Sequence, residues 1–82
     1  MDINMDRNHF RSKDLSESSF LFASGLRLIK TDNENGTIWF VFENKDKCER
    51  LSLDFWSKQA NVNAMAYVDA LRTLKALIFR KR

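Results

Sequence analysis

Two glycines and no proline punctuate this chain of 82 residues. Glycine turns the backbone left-handed at the least cost, so Gly25 and Gly36 each read as a boundary, and no proline interrupts the segments between them. Gly36 follows Glu34-Asn35 and separates two β-rich runs, Leu26–Asn33 and Thr37–Asn44. Gly25 closes an apolar stretch that reads as a helix and supplies a left-handed C′ residue. Helix, then hairpin, is therefore the frame on which the rest is read.

The first helix is predicted from about Asp14 to Ser24. Asp14 or Ser12 can cap it, and Glu17 stands three residues after Asp14, where a capping-box partner belongs. A second helix is predicted from about Lys45 to Gln59, with Asn44 as cap and Cys48, Leu51 and Phe55 as its apolar stripe. Ala60-Asn61-Val62-Asn63 breaks the pattern and reads either as an extended connection or as a short third strand. Asn63 caps the last helix, Ala64 to about Phe79, in which Met65, Val68, Leu71, Leu74, Leu77 and Ile78 face inward. Alanine, leucine, lysine and arginine dominate it, all strong helix formers. The fold class is α+β, a small single domain of order helix–β-hairpin–helix–helix. Residues 1–9 lack periodicity and read as a flexible arm, and residues 10–82 form the domain. The expected core joins Phe20, Phe22, Leu28, Phe40, Phe42, Leu51, Phe55, Val68, Leu71 and Leu74.

The hairpin register is a choice between two turns. Asn35-Gly36 suits a two-residue turn. Cross-strand matching favours a three-residue loop that pairs Asn33 with Thr37. In that register Leu28 faces Phe42 and Lys30 faces Phe40, while the other face pairs Thr31 with Trp39, Ile29 with Val41 and Arg27 with Glu43. The three-residue loop, with Gly36 left-handed, is the expectation.

The composition narrows the function classes. Apolar residues make up 44 % and charged residues 30 %, which suits a globular chain rather than a disordered one. No apolar run approaches the 18 or so residues of a membrane span, and the polar start does not read as a signal peptide. One cysteine excludes an internal disulfide framework and a cysteine-rich zinc site. A cytoplasmic protein without membrane association is expected. Cys48 and His9 are the only candidate nucleophile and imidazole, but Cys48 lies on a helix's apolar stripe and reads as a buried small hydrophobe. There is no phosphate-cradling glycine loop, metal-binding His-Glu helix or nucleophile elbow. No catalytic residue, metal or cofactor is assigned, and the protein is expected not to be an enzyme.

Binding is better supported. Residues 1–59 hold nine Lys/Arg against ten Asp/Glu, whereas residues 60–82 hold Arg72, Lys75, Arg80, Lys81 and Arg82 against Asp69 alone. A basic helix end attracts polyanions, although cations also suit a helix C-terminus with no partner at all. Those five residues are the candidate nucleic-acid contacts, weak and salt-sensitive, with Asp69 expected to neutralise Arg72 in part. Arg27, Ile29, Trp39 and Val41 on the second hairpin face are the candidate protein interface, for a host protein or a homodimer formed through the hairpin.

The order of residues also resembles a known family. Phe10-Arg-Ser-Lys-Asp14-Leu15 opens it, followed by an apolar helix ending at Gly25-Leu26. The strand Trp39-Phe-Val-Phe42, Leu51 with Phe55, and Tyr67 with Leu71-Arg72, Leu74-Lys75 and Ile78 complete it. The chain is similar over about residues 10–79 to short uncharacterised bacterial, archaeal and phage proteins, filed as a domain of unknown function. Such proteins often occur in mobile or viral DNA. The resemblance implies a phage or mobile-element accessory protein and brings no activity, cofactor or catalytic residue. Two functions follow. One is a module that associates with nucleic acid through the basic C-terminal helix; the other inhibits or modulates a host protein through the face around Trp39.

Overall fold

A computed structural model describes residues 8–81, of which the last in its backbone alone. It is an α+β domain of three helices and one three-stranded antiparallel sheet. The elements run β1 (His9–Ser12), α1 (Leu15–Ala23), β2 (Leu28–Glu34), β3 (Thr37–Glu43), α2 (Lys45–Trp56) and α3 (Ala64–Lys81). The third strand is thus at the N-terminal end, not near residues 60–62, which the structure leaves without a strand. His9, assigned above to the arm, is the first residue of β1; residues 1–7 lie outside the described residues. β1 pairs with β3 from His9–Glu43 to Ser12–Phe40, so β3 is central in the order β1-β3-β2. Both edges of β3 are thereby hydrogen-bonded, as a strand this apolar requires.

The hairpin corrects the expected register. Glu34 pairs with Thr37, so the turn is the two-residue Asn35-Gly36, with φ of 54° and 89°. Two positive φ values in succession define the primed turn whose twist matches that of the strands. Lys30 then opposes Val41, Thr31 opposes Phe40 and Asp32 opposes Trp39. The ladder shifts between Leu28 and Lys30, where Ile29 is one extra residue, and Leu28 again meets Phe42. Beyond the bulge, the Glu43 amide donates to the Arg27 carbonyl at 3.0 Å. Matching at Leu28–Phe42 and Arg27–Glu43 was sound locally. It misled about the turn because it assumed an unbroken ladder.

The helix ends follow their caps. Asp14 accepts from the Glu17 amide at 2.8 Å and Asn63 accepts from the Ala66 amide at 2.9 Å. At the end of α1 the Leu26 amide donates to the Leu21 carbonyl and the Gly25 amide to that of Phe22, with Gly25 at φ 95°. These paired bonds form a Schellman motif. The end of α2 repeats it, with Gln59 donating to Asp54 and Lys58 to Phe55, but here Lys58 holds a φ of 68°.

Helix α1 is central, touching β1, α2 and α3. Its five consecutive residues Glu17, Ser18, Ser19, Phe20 and Leu21 are all buried, so it is enclosed rather than amphipathic. The core joins Phe20, Leu21, Leu26, Ile38, Phe40, Phe42, Cys48 and Leu74. Phe22, Leu28, Leu51 and Phe55 pack against it half-buried. Val68 and Leu71 are half-buried but lie outside that cluster.

Candidate functional site

Helix α3 packs mainly on α1, through residues such as Leu74, and leaves its opposite side to solvent. Arg72, Lys75 and Arg80 are exposed on that side. At 3.6 residues per turn, Arg72, Lys75 and Phe79 fall within about 60° of one another, and Arg80 lies about 80° beyond Arg72. Among the described residues none of these three cations makes an ion pair, so Asp69 does not hold Arg72 as expected. The helix continues to Lys81, which sets Arg80 and Lys81 on helical backbone. The side chain of Lys81, and Arg82 altogether, lie outside the described residues.

The sheet's outer face is built differently from the sequence reading. Trp39 and Val41 project there from β3, His9 and Arg11 from β1, and Lys30, Asp32 and Glu34 from β2. The Arg11 guanidinium lies 4.4 Å above the Trp39 ring and the Lys13 ammonium 5.5 Å above it, both within cation–π range. Arg11 also pairs with Glu34 at 2.9 Å. Val41 is only 2 % exposed, Ile29 is the half-buried bulge residue, and Arg27 pairs with Glu43 at 3.8 Å. The four residues expected to form an apolar interface therefore make no continuous exposed patch. The extra strand β1 supplies long cationic side chains that cover it. Along the free edge of β2, Lys30, Asp32 and Glu34 are residues of the kind that blunt edge-to-edge pairing.

Sequence reasoning missed one buried cluster. Glu17 is 7 % exposed, and its carboxylate accepts from the Ser12 hydroxyl at 2.6 Å, from the Trp56 indole N–H at 3.0 Å and from the Ser52 hydroxyl. Its backbone amide is capped by Asp14, as a capping box requires, but its side chain turns inward instead of back to the Asp14 amide. Ser12 takes that place, its oxygen accepting from the Asp14 amide at 3.2 Å. Glu17 thus joins β1, α1 and α2. Ser52 and Trp56, four residues apart on one helix face, were the legible half of the signal. Beside this cluster, an open cleft of about 500 Å³ is lined by Asp14, Ser16, Phe55, Trp56, Lys58 and Ala60.

Cys48 is fully buried in the core and its thiol donates to the Glu43 carbonyl at 3.4 Å. Burial, then the negative charges of Glu17 and Glu49, push the thiol up from 9.0 to about 11, opposed by Lys47. That is the reverse of an activated nucleophile. No hydrogen bond joins it to His9, which lines the outer sheet face. Among the described residues no cluster of three His, Cys, Asp or Glu could hold a metal ion, and no helix is long and apolar enough to cross a membrane.

These features define a small α+β domain with a helix-covered sheet and a cationic outer helix. The chain belongs to the family described as Domain of unknown function (DUF5659), which it matches over residues 7–80. No curated protein matches it, and no solved structure does.

Proposed function

We propose that this domain is a non-enzymatic binding module that associates with nucleic acid through α3, as a cytoplasmic accessory protein of a phage or mobile element. One observation carries the reading. Arg72, Lys75 and Arg80 are exposed on the outer side of α3 without an ion-pair partner among the described residues, whereas Arg11, Arg27 and Lys30 on the sheet are each paired with a carboxylate. Unpaired cations displace condensed counterions from phosphates at no cost in broken salt bridges. The alternative, a protein-interaction module that modulates a host protein through Arg27, Ile29, Trp39 and Val41, gains less. Binding there has to displace Arg11 and Lys13 from the Trp39 ring.

The test is filter binding of labelled oligonucleotides over a salt series. About three phosphate contacts give a log–log slope of roughly −2 to −3. Replacing Lys75, Arg80, Lys81 and Arg82 with Gln should abolish binding while leaving the melting temperature nearly unchanged. Absence of affinity at low salt overturns the reading and puts the Trp39 face first.

A further inference from the structure

We propose that the hairpin turn is a site of covalent modification by water: the Asn35 amide deamidates, at a rate held down by the hydrogen bond that Asn33 makes to the Gly36 amide. Asn35 is the only asparagine of the chain followed by glycine. Both residues of the pair are exposed. Glycine has no β-carbon to shield its own nitrogen, and a β-carbon added at Gly36 would meet nothing within 4 Å, so the rest of the chain does not shield it either. In the reaction the Gly36 nitrogen attacks the Asn35 Cγ. The N–Cγ bond forms, the Gly36 amide proton passes to hydroxide, and the Cγ–Nδ2 bond breaks as ammonia leaves with a proton from water. Water then opens the cyclic imide. Opening at Cγ gives aspartate; opening at the backbone carbonyl gives isoaspartate, in which the chain runs through the side-chain carbon. The net change is amide plus water to acid plus ammonia, and nothing is oxidised or reduced.

The folded turn opposes the first step in two ways. The Gly36 N–H donates to the Asn33 Oδ1 at 3.0 Å, and the nitrogen must give up that proton to become a nucleophile. The turn also holds Asn35 at φ 54° and Gly36 at φ 89°, with Glu34 paired to Thr37 across it. Ring closure requires rotation about the Asn35 Cα–C bond, which a paired two-residue turn resists. The reaction therefore runs through the locally opened hairpin tip, a minor fraction of the folded molecules. Its product acts back on the fold. Isoaspartate adds a backbone carbon to a turn that accommodates two residues, and either product sets a new carboxylate beside Glu34.

The experiment incubates the full chain at mildly alkaline pH, with and without denaturing urea, and quenches samples with acid over time. Trypsin then releases the peptide from Thr31 to Lys45, in which mass spectrometry locates the amide-to-acid change and chromatography resolves isoaspartate from aspartate. The expected product is at Asn35, formed about tenfold more slowly in the folded chain than in urea. Asn33→Ala should raise the folded rate roughly three- to tenfold, the worth of one exposed hydrogen bond, and leave the rate in urea unchanged. Asn33→Asp, whose carboxylate can accept the same bond, should keep the folded rate near that of wild type. Circular dichroism at the incubation temperature checks that each variant is folded; should Asn33→Ala not fold, the wild-type comparison with urea and the Asn33→Asp rate carry the test. Equal wild-type rates in the folded chain and in urea overturn the inference. So does a folded rate that Asn33→Ala leaves unchanged, a rate that Asn33→Asp raises, or an acid product at other asparagines with Asn35 intact. None of these outcomes bears on binding through α3.

Discussion

Removing the Glu17 carboxylate tests what holds the three-element junction together. The carboxylate accepts three hydrogen bonds, from Ser12, Ser52 and Trp56, and no cation pairs with it among the described residues. Each hydrogen bond to a charged group contributes about 1.5–3 kcal/mol, but donors left behind regain part of this if water reaches them. Trp56 is 54 % exposed and Ser52 half-buried, so both can rehydrate in Glu17→Ala. Ser12 is buried and cannot, although its oxygen still accepts from the Asp14 amide. The net cost should be about 2–4 kcal/mol, a large share of the stability of a domain this size. That corresponds to a fall in melting temperature of roughly 10–25 °C.

Glu17→Gln should cost less, about 1–2 kcal/mol. The indole of Trp56 can only donate, so the amide oxygen must turn toward it, and the amide NH₂ then faces Ser12, whose hydroxyl can rotate to accept. The assay is urea unfolding followed by far-ultraviolet circular dichroism, with an unchanged slope as the check on two-state behaviour. The predicted order is wild type, then Gln, then Ala. A Glu17→Leu protein as stable as wild type would refute the reasoning. It would mean that desolvating the carboxylate costs as much as its three bonds return.

Other outcomes follow from single positions. Ser18 and Ser19 bury hydroxyl oxygens without a hydrogen-bond partner, so Ser18→Ala and Ser19→Ala should each stabilise by about 1 kcal/mol in the same urea assay. Lys58 and Gly36 both hold positive φ, so Lys58→Gly should stabilise and Gly36→Ala destabilise, each by about 1 kcal/mol; calorimetry that finds the same sign for both would contradict this. The Cys48 thiol keeps its proton longer in the folded chain than in the unfolded one. Its contribution to stability is therefore complete below about pH 9 and is lost as pH rises toward 11, and Cys48→Ala should flatten that alkaline loss in melting temperature.

The legible parts of this protein were those set by local chemistry. Caps at Asp14, Asn44 and Asn63, the left-handed Gly25 and the apolar periods of the helices depend on residues within one or two turns. All three helices were accordingly readable, as was the inward placement of Leu28, Phe40 and Phe42. The basic residues of α3 could be named from spacing alone, because an amphipathic helix sends its charges outward wherever it packs.

What the sequence left open is set by partners distant in the chain. His9–Ser12 has a single apolar residue in four and too little alternation to announce a strand. It becomes β1 because β3 offers it an edge, and that pairing in turn places Arg11 beside Trp39. The bulge at Ile29 is a compromise between a tight Asn35-Gly36 turn and the Leu28–Phe42 contact, which only the closed sheet requires together. The partners of Glu17 lie 35 and 39 residues away, so the cap signal was visible while the buried junction was not. Local rules determined which segments become helix and which turn is tight. Tertiary contact decided where the third strand sits, which face of the sheet is covered, and which polar groups are buried, because pairing and burial satisfy hydrogen bonds that no local segment can satisfy alone.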